Sequence, residues 1–155
     1  MKKIIIFLII VLMIVAAISY MYLNYKAISN DAKVRNVQYE SYEGKEIYGT
    51  DLATLINKAT DENIRNEIKK DDTGLYINNE TNSIRIDIHF TDDDTIHSME
   101  EIYNSGTDTF MQYYNQIRFK CTKIEHHSKT KLVSYMLFEQ IASWNKLLEL
   151  LNIKI

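Results

Sequence analysis

Apolar positions divide the chain into one segment that is apolar on every side and a remainder with recognisable periods. Ile4 to Leu23 is 20 residues without a charge, and Ile4 to Ile18 is apolar throughout. At about 1.5 Å per residue, about 20 residues cover a hydrocarbon core of about 30 Å. A helix on a soluble core keeps a polar side, which this run lacks. In lipid every backbone N–H and C=O must be paired within the segment, so the pattern predicts a transmembrane helix over residues 1–23.

The next stretch, Asn24 to Glu43, holds neither proline nor glycine. Ile28, Ala32, Tyr39 and Tyr42 fall near one helical stripe, with Val34 and Val37 off it, which predicts a stalk over 24–43. Gly44 is the first residue suited to stop it. Gly49-Thr50-Asp51 opens a second helix, with Thr50 or Asp51 as its cap and Leu52, Leu55, Ile56 and Ala59 on the buried side. Beyond Asn63 the pattern weakens, and Ile64 to Lys70 reads as a frayed turn or a short strand. Asp71 to Gly74 is a turn.

Ser83 to Phe90 alternates Ile84, Ile86, Ile88 and Phe90 with Arg85, Asp87 and His89, the signature of a half-buried strand in an antiparallel sheet. Leu75 to Asn78 is its expected hairpin partner, and Asp92-Asp93-Asp94 ends it. Ser98 to Tyr103 reads as a short helix ending at Gly106. Thr107 then caps a turn carrying Phe110, Met111 and Tyr114. Ile117 to His126 alternates again, His127 to Lys131 is polar, and Leu132 to Ile141 returns as a partner strand. Ala142 to Leu151 reads as a helix with Trp144, Leu147, Leu148 and Leu151 along one side, expected to pack on the sheet rather than on a partner helix or the membrane. The chain is therefore read as one α+β domain over 44–155, built on an antiparallel sheet of about four strands behind an anchor and stalk.

Charge adds an orientation. Lys2 and Lys3 precede the apolar run and Lys26 follows it; basic residues stay cytoplasmic, so the N-terminus is expected inside and the domain outside. After Tyr22 there are 16 basic residues against 21 acidic, a net of −5. That balance argues against nucleic acid and against anionic lipid headgroups as partners. The competing reading is a signal peptide cut after Ala17-Ile18-Ser19. Apolar character continues through Met21 and Leu23, and Tyr20 and Tyr22 suit an interfacial aromatic belt, so an uncleaved signal anchor is preferred. The one cysteine, Cys121, lies far from the N-terminus, which excludes a lipoprotein, and it cannot form an internal disulfide. Abundant Ile, Asn and Lys with no proline point to an AT-rich coding genome and a bacterial source.

Two stretches carry a resemblance. Tyr39-Glu40-Ser41-Tyr42-Glu43-Gly44 with Gly49-Thr50-Asp51-Leu52-Ala53-Thr54-Leu55-Ile56-Asn57 resembles a pattern of small, uncharacterised membrane-anchored proteins of low-GC Gram-positive bacteria. Ile102-Tyr103, Gly106-Thr107, Phe110 and Phe119-Lys120-Cys121 resemble its second half. The resemblance covers nearly the whole chain and implies no activity and no site residues. The architecture of basic N-terminus, apolar helix, stalk and small sheet also resembles a type IV pilin or pseudopilin. Here no glycine precedes the apolar run and no glutamate lies within it, which departs from that family's processing motif.

Candidate chemistry is sparse. His126-His127 is the most metal-like element, with His89 or His97 as possible third ligands, but neighbours in a strand point to opposite faces. Solvent-facing or turn histidines are the expectation. Asp92-Asp93-Asp94 lacks the glycine and glutamate spacing of an EF-hand, so a solvated turn is expected. Cys121 alternates with Phe119 and Ile117 on an apolar face, as a small buried hydrophobe does. Tyr103, Tyr113, Tyr114, Tyr135 and Trp144 are candidates for a ligand platform, with core roles expected for most. No nucleophile elbow, P-loop, dinucleotide fingerprint or zinc motif is present. The expectation is a non-enzymatic, single-pass cell-envelope protein acting in interaction or assembly, without cofactor, metal or catalytic residues. An extracytoplasmic small-ligand module and a pilin-like filament subunit are the alternatives.

Overall fold

The computed structural model describes residues 2–141. Helix α1 (Lys2–Glu40) runs unbroken through the apolar segment and the stalk. Its apolar part is exposed on all sides, and it is the one described helix long and apolar enough to cross a membrane. Gly44, at φ 67°, then reverses the chain, and its N–H donates to the Cys121 carbonyl. The left-handed conformation suits glycine because it has no Cβ.

There follow β1 (Glu46–Tyr48), α2 (Gly49–Arg65), β2 (Arg85–Phe90), β3 (Thr95–Ser98), α3 (Met99–Ser105), α4 (Thr107–Tyr114), β4 (Arg118–His126) and β5 (Val133–Gln140). The strands form one five-stranded sheet in the order β1-β4-β5-β2-β3. The expected antiparallel sheet of about four strands is corrected here: β2 and β5 pair in parallel, and the sheet is mixed. The expected hairpin of Leu75 to Asn78 with β2 does not form. Tyr76 instead bridges Lys70, and β2's antiparallel partner is β3, across the Asp92–Asp94 turn.

Alternation sets the layers. Ile86 pairs Met136, Ile88 pairs Phe138 and Cys121 pairs Phe138, all of them 0–1% exposed on one face. That face packs against Leu52, Leu55, Ile56 and Ala59 of α2, Met99 and Ile102 of α3 and Phe110 of α4. The opposite face carries Arg85, His89, Tyr135, Glu139 and Lys120, with Asp87 buried among them. Burying one face of such a sheet against amphipathic helices supplies the apolar area that holds a disulfide-free domain together.

Helix starts differ from expectation in detail. Tyr48, not Thr50 or Asp51, stands at the N-cap position of α2, and Gly106, not Thr107, at that of α4, neither with a side-chain cap. A Cβ on Gly49 would fall 2.1 Å from the Tyr114 carbonyl oxygen, so close approach of α2 to α4 excludes a side chain there. Ser98 and Glu101 form a reciprocal capping box at α3. The helix expected over Ala142 to Leu151, with Trp144, lies outside the described residues.

The last turns of α1 belong to the domain. Ala32, Asn36 and Tyr39 are buried at helical spacing, whereas Val34 and Val37 are exposed. Asn36 meets the start of β5, Glu40 the end of β4, and Gly44 the middle of β4. This fixes a polarity. The near end of the sheet, toward the apolar run, carries Ile84, His126 and Val133; the far end carries Phe90, Arg118 and Gln140.

Candidate functional site

The histidines, aspartates and cysteine weighed as candidates are placed apart. His89 contacts Asp94 at 2.8 Å, and His97 contacts Glu101 at 2.9 Å. His126 contacts Glu40 at 2.9 Å. His127 is 4% exposed, so it is a turn histidine but not a solvent-facing one. Its Nε2 lies 2.7 Å from the Ser83 carbonyl, and since a carbonyl only accepts, Nε2 carries the proton. The three aspartates also diverge. Asp92 accepts from the Gln140 amide, Asp93 from the Thr95 N–H and hydroxyl, and Asp94 faces His89. Burial pushes the Cys121 thiol from 9.0 up to about 11, which keeps it protonated and unreactive at neutral pH.

Two constellations do form. The first is a polar joint at the near end. The Asn36 Nδ2 donates to the Lys131 carbonyl at 2.7 Å, and the Val133 N–H donates to its Oδ1 at 2.9 Å. One side chain thus pairs both edges of the β5 entry, the way a backbone neighbour would. Asn63 of α2 does the same for Ile84, receiving its N–H at 2.9 Å and donating to its carbonyl at 2.7 Å. Gln38 donates to Glu62 at 2.8 Å, tying α1 to α2. Burial and the neighbouring Glu62 carboxylate push the Tyr39 phenol well above its ordinary range. Asn36 and Asn63 were not anticipated. The available signal was positional: Asn36 fills the gap at i+4 from Ala32 in the stalk's stripe.

The second constellation is an aromatic groove at the far end. It has a volume of about 230 Å³ and lies between Phe90, His97, α3 and α4, with Phe110, Tyr113 and Tyr114 along it. Phe110 stacks on Tyr114 at 5.0 Å, and Phe90 sits edge-on to Phe119 and His97 at 5.9 and 5.4 Å. The floor is buried, but Tyr113 at the rim is 72% exposed. Of the tyrosines weighed as a ligand platform, Tyr113 and Tyr114 come together here. Tyr135 does not; it lies on the opposite sheet face beside Asp87, where burial and that carboxylate push its phenol up to about 12. Asp87 is itself held by two bonds of 2.9 Å from the Arg85 guanidinium. Trp144 lies outside the described residues.

Chemically, the groove offers apolar area and edge-on rings with one hydrogen-bonded polar pair, His97–Glu101, at its rim. Comparison with models of protein families, with curated proteins and with solved structures finds no match for this chain.

Proposed function

We propose that the protein is a single-pass signal anchor of a bacterial cell membrane, with its N-terminus inside and its domain outside, and that it acts by binding a protein partner rather than by catalysis. The observation that carries this reading is the far-end groove. It sits at the end of the domain opposite the apolar run, with a buried aromatic floor and the exposed ring of Tyr113 at its rim. An aromatic side chain standing in water beside an apolar recess is the usual make-up of an interface anchor. The recess is open, and its roughly 230 Å³ falls below the ~300–1,000 Å³ of drug-sized pockets, which favours a protruding side chain over an enclosed small ligand.

A non-catalytic role fits the polar groups. The histidines meet carboxylates or a carbonyl rather than a hydroxyl or thiol, and Cys121 stays protonated. The orientation is supported by Lys2 and Lys3 ahead of the run, and the uncleaved span by Tyr20 and Tyr22 at its end.

The test is a photo-crosslinking residue at Tyr113 in native membranes, with Thr122 on the open sheet face as control. A discrete protein adduct from position 113 and none from 122 is expected. Absence of any adduct at 113, with a monomer throughout, overturns the reading. Capture of a second copy of this chain favours the filament alternative instead.

A further inference from the structure

Val34 and Val37 stand on α1 well beyond the apolar run, yet they are 77% and 64% exposed. Single exposed valines are ordinary on a protein surface, so it is the phase of these two that matters. At about 100° per residue they share one side of the helix with Leu23, Ala27 and Asn30, all of them exposed. Ala32, Asn36 and Tyr39, which the domain buries, lie on the opposite side.

Positions 23, 27, 30, 34 and 37 are spaced alternately by four and three residues, the a/d repeat of a coiled coil. The same repeat runs back through Ile6, Ile9, Met13, Ala16 and Tyr20, so the seam covers about four heptads of one unbroken helix. Inside the bilayer every face is apolar, and covering the seam gains nothing from water. Outside it, the two valines do gain by being covered. The flanks are matched as well. In a parallel pair, the residue before an a position meets the residue five further on in the other helix, which sets Lys26 against Asp31 and Lys33 against Gln38. The first pair is opposite in charge and the second is not charged alike. Within its own chain Asp31 has only an exposed contact with Arg35 at 3.9 Å, which leaves it open to another cation.

The domain leaves room for a neighbour on this side. It is tied to α1 by Gln38 to Glu62 on one flank and by Glu40 to His126 on the other, and between them it covers the side away from the seam.

Resting on the anchor in the reading above, and not on its groove, we propose that a second copy of this chain covers the seam. The two α1 helices pair in parallel from the membrane to Val37, with the domains on the outside. A span that inserts every copy in one direction and at one depth holds the two helices parallel and level. Asn30, a polar position between Ala27 and Val34, then fixes the register, because each amide finds the other instead of an apolar side chain.

The experiment uses the full chain in the membrane of an expressing bacterium, with a cysteine at Val34→Cys, at Val37→Cys or, exposed on the opposite side of the helix, at Ile28→Cys. Buried Cys121 stays out of reach of the copper-phenanthroline oxidant. Disulfide-linked dimer is expected several-fold more from 34 and 37 than from 28. Lys26→Asp should lower the linkage at 34 by about two-fold, and Lys26→Asp with Asp31→Lys should restore it. Equal linkage at all three positions, or none, in a chain that resists an alkaline carbonate wash overturns the dimer and leaves the anchor standing. Release of the chain by that wash overturns both. A disulfide to a different protein in place of the dimer overturns the second copy as occupant. Linkage at 34 indifferent to Lys26→Asp overturns the Lys26–Asp31 pairing.

Discussion

The two ends of the domain are held by different physics. The near end is a set of directed bonds: Asn36 to Lys131 and Val133, Asn63 to Ile84, Asn66 to the Asn82 carbonyl, and His127 to the Ser83 carbonyl. The far end is a cluster of rings, Phe90, Phe110, Tyr114 and Phe119, with centroids 4.8–6.4 Å apart. Rings gain from area and accept small rearrangements, whereas an amide bridging two backbone groups fits one geometry. The end that joins the anchor is therefore specified, and the end that faces away is adaptable. That division is the one the proposed function calls for, a domain held at the membrane while accommodating a partner.

Substitutions can break the contrast. The largest loss is expected from Phe119→Ala, since a fully buried ring touching three others is removed, at about 3–5 kcal/mol by denaturant unfolding. At the near end Asn63→Leu keeps the volume but strands the Ile84 N–H and C=O, each costing about 1–3 kcal/mol and partly offset by the leucine's buried apolar area, so about 2–4 kcal/mol is expected. If Asn63→Leu proved neutral while Phe119→Ala did not, the near end would be apolar packing after all, and the comparison would fail.

Alkaline pH sharpens it next. The Cys121 thiol is raised from 9.0 to about 11 in the folded state, so above pH 9 the unfolded chain releases a proton that the folded chain keeps. Stability from this group is whole below pH 9 and falls by about 1.4 kcal/mol per pH unit up to about 11. The Tyr39 phenol, also raised, adds to the fall at higher pH. Cys121→Ala should flatten the first part of the slope in unfolding curves taken from pH 8 to 11. The smallest effect is expected at the groove's rim. Tyr113→Ala, 72% exposed, should move stability by no more than about 0.5 kcal/mol while abolishing partner capture.

Sequence periodicity reached the parts of the fold that are local and long. The apolar run, α2, the β4–β5 hairpin and the Gly44 stop each rest on a repeated pattern or a single conformational demand. β1 and β3 are three and four residues long, too short for alternation to register against the background. The parallel pairing of β2 with β5 joins strands separated by β3, α3, α4 and β4, and no local pattern encodes a neighbour so distant. The polar joint was hidden for another reason. A stripe is traced by its apolar members, and Asn36 and Asn63 occupy stripe positions with side chains that water would also accept. The groove was half legible, as tyrosines clustered near 113 and 114, but Phe90 arrives there only through the sheet.

The reach of Asn36 also bears on how the domain comes into being. Its two partners lie 95 and 97 residues further along the chain. Loop closure over such a separation costs entropy before any contact repays it, and non-local pairing slows folding. During synthesis α1 is made first, yet the two backbone partners of Asn36 do not exist until the chain has reached Val133. In the orientation proposed above, almost the whole domain crosses the membrane before this joint can close, and a chain stopped before Val133 should be digested by protease up to the lipid.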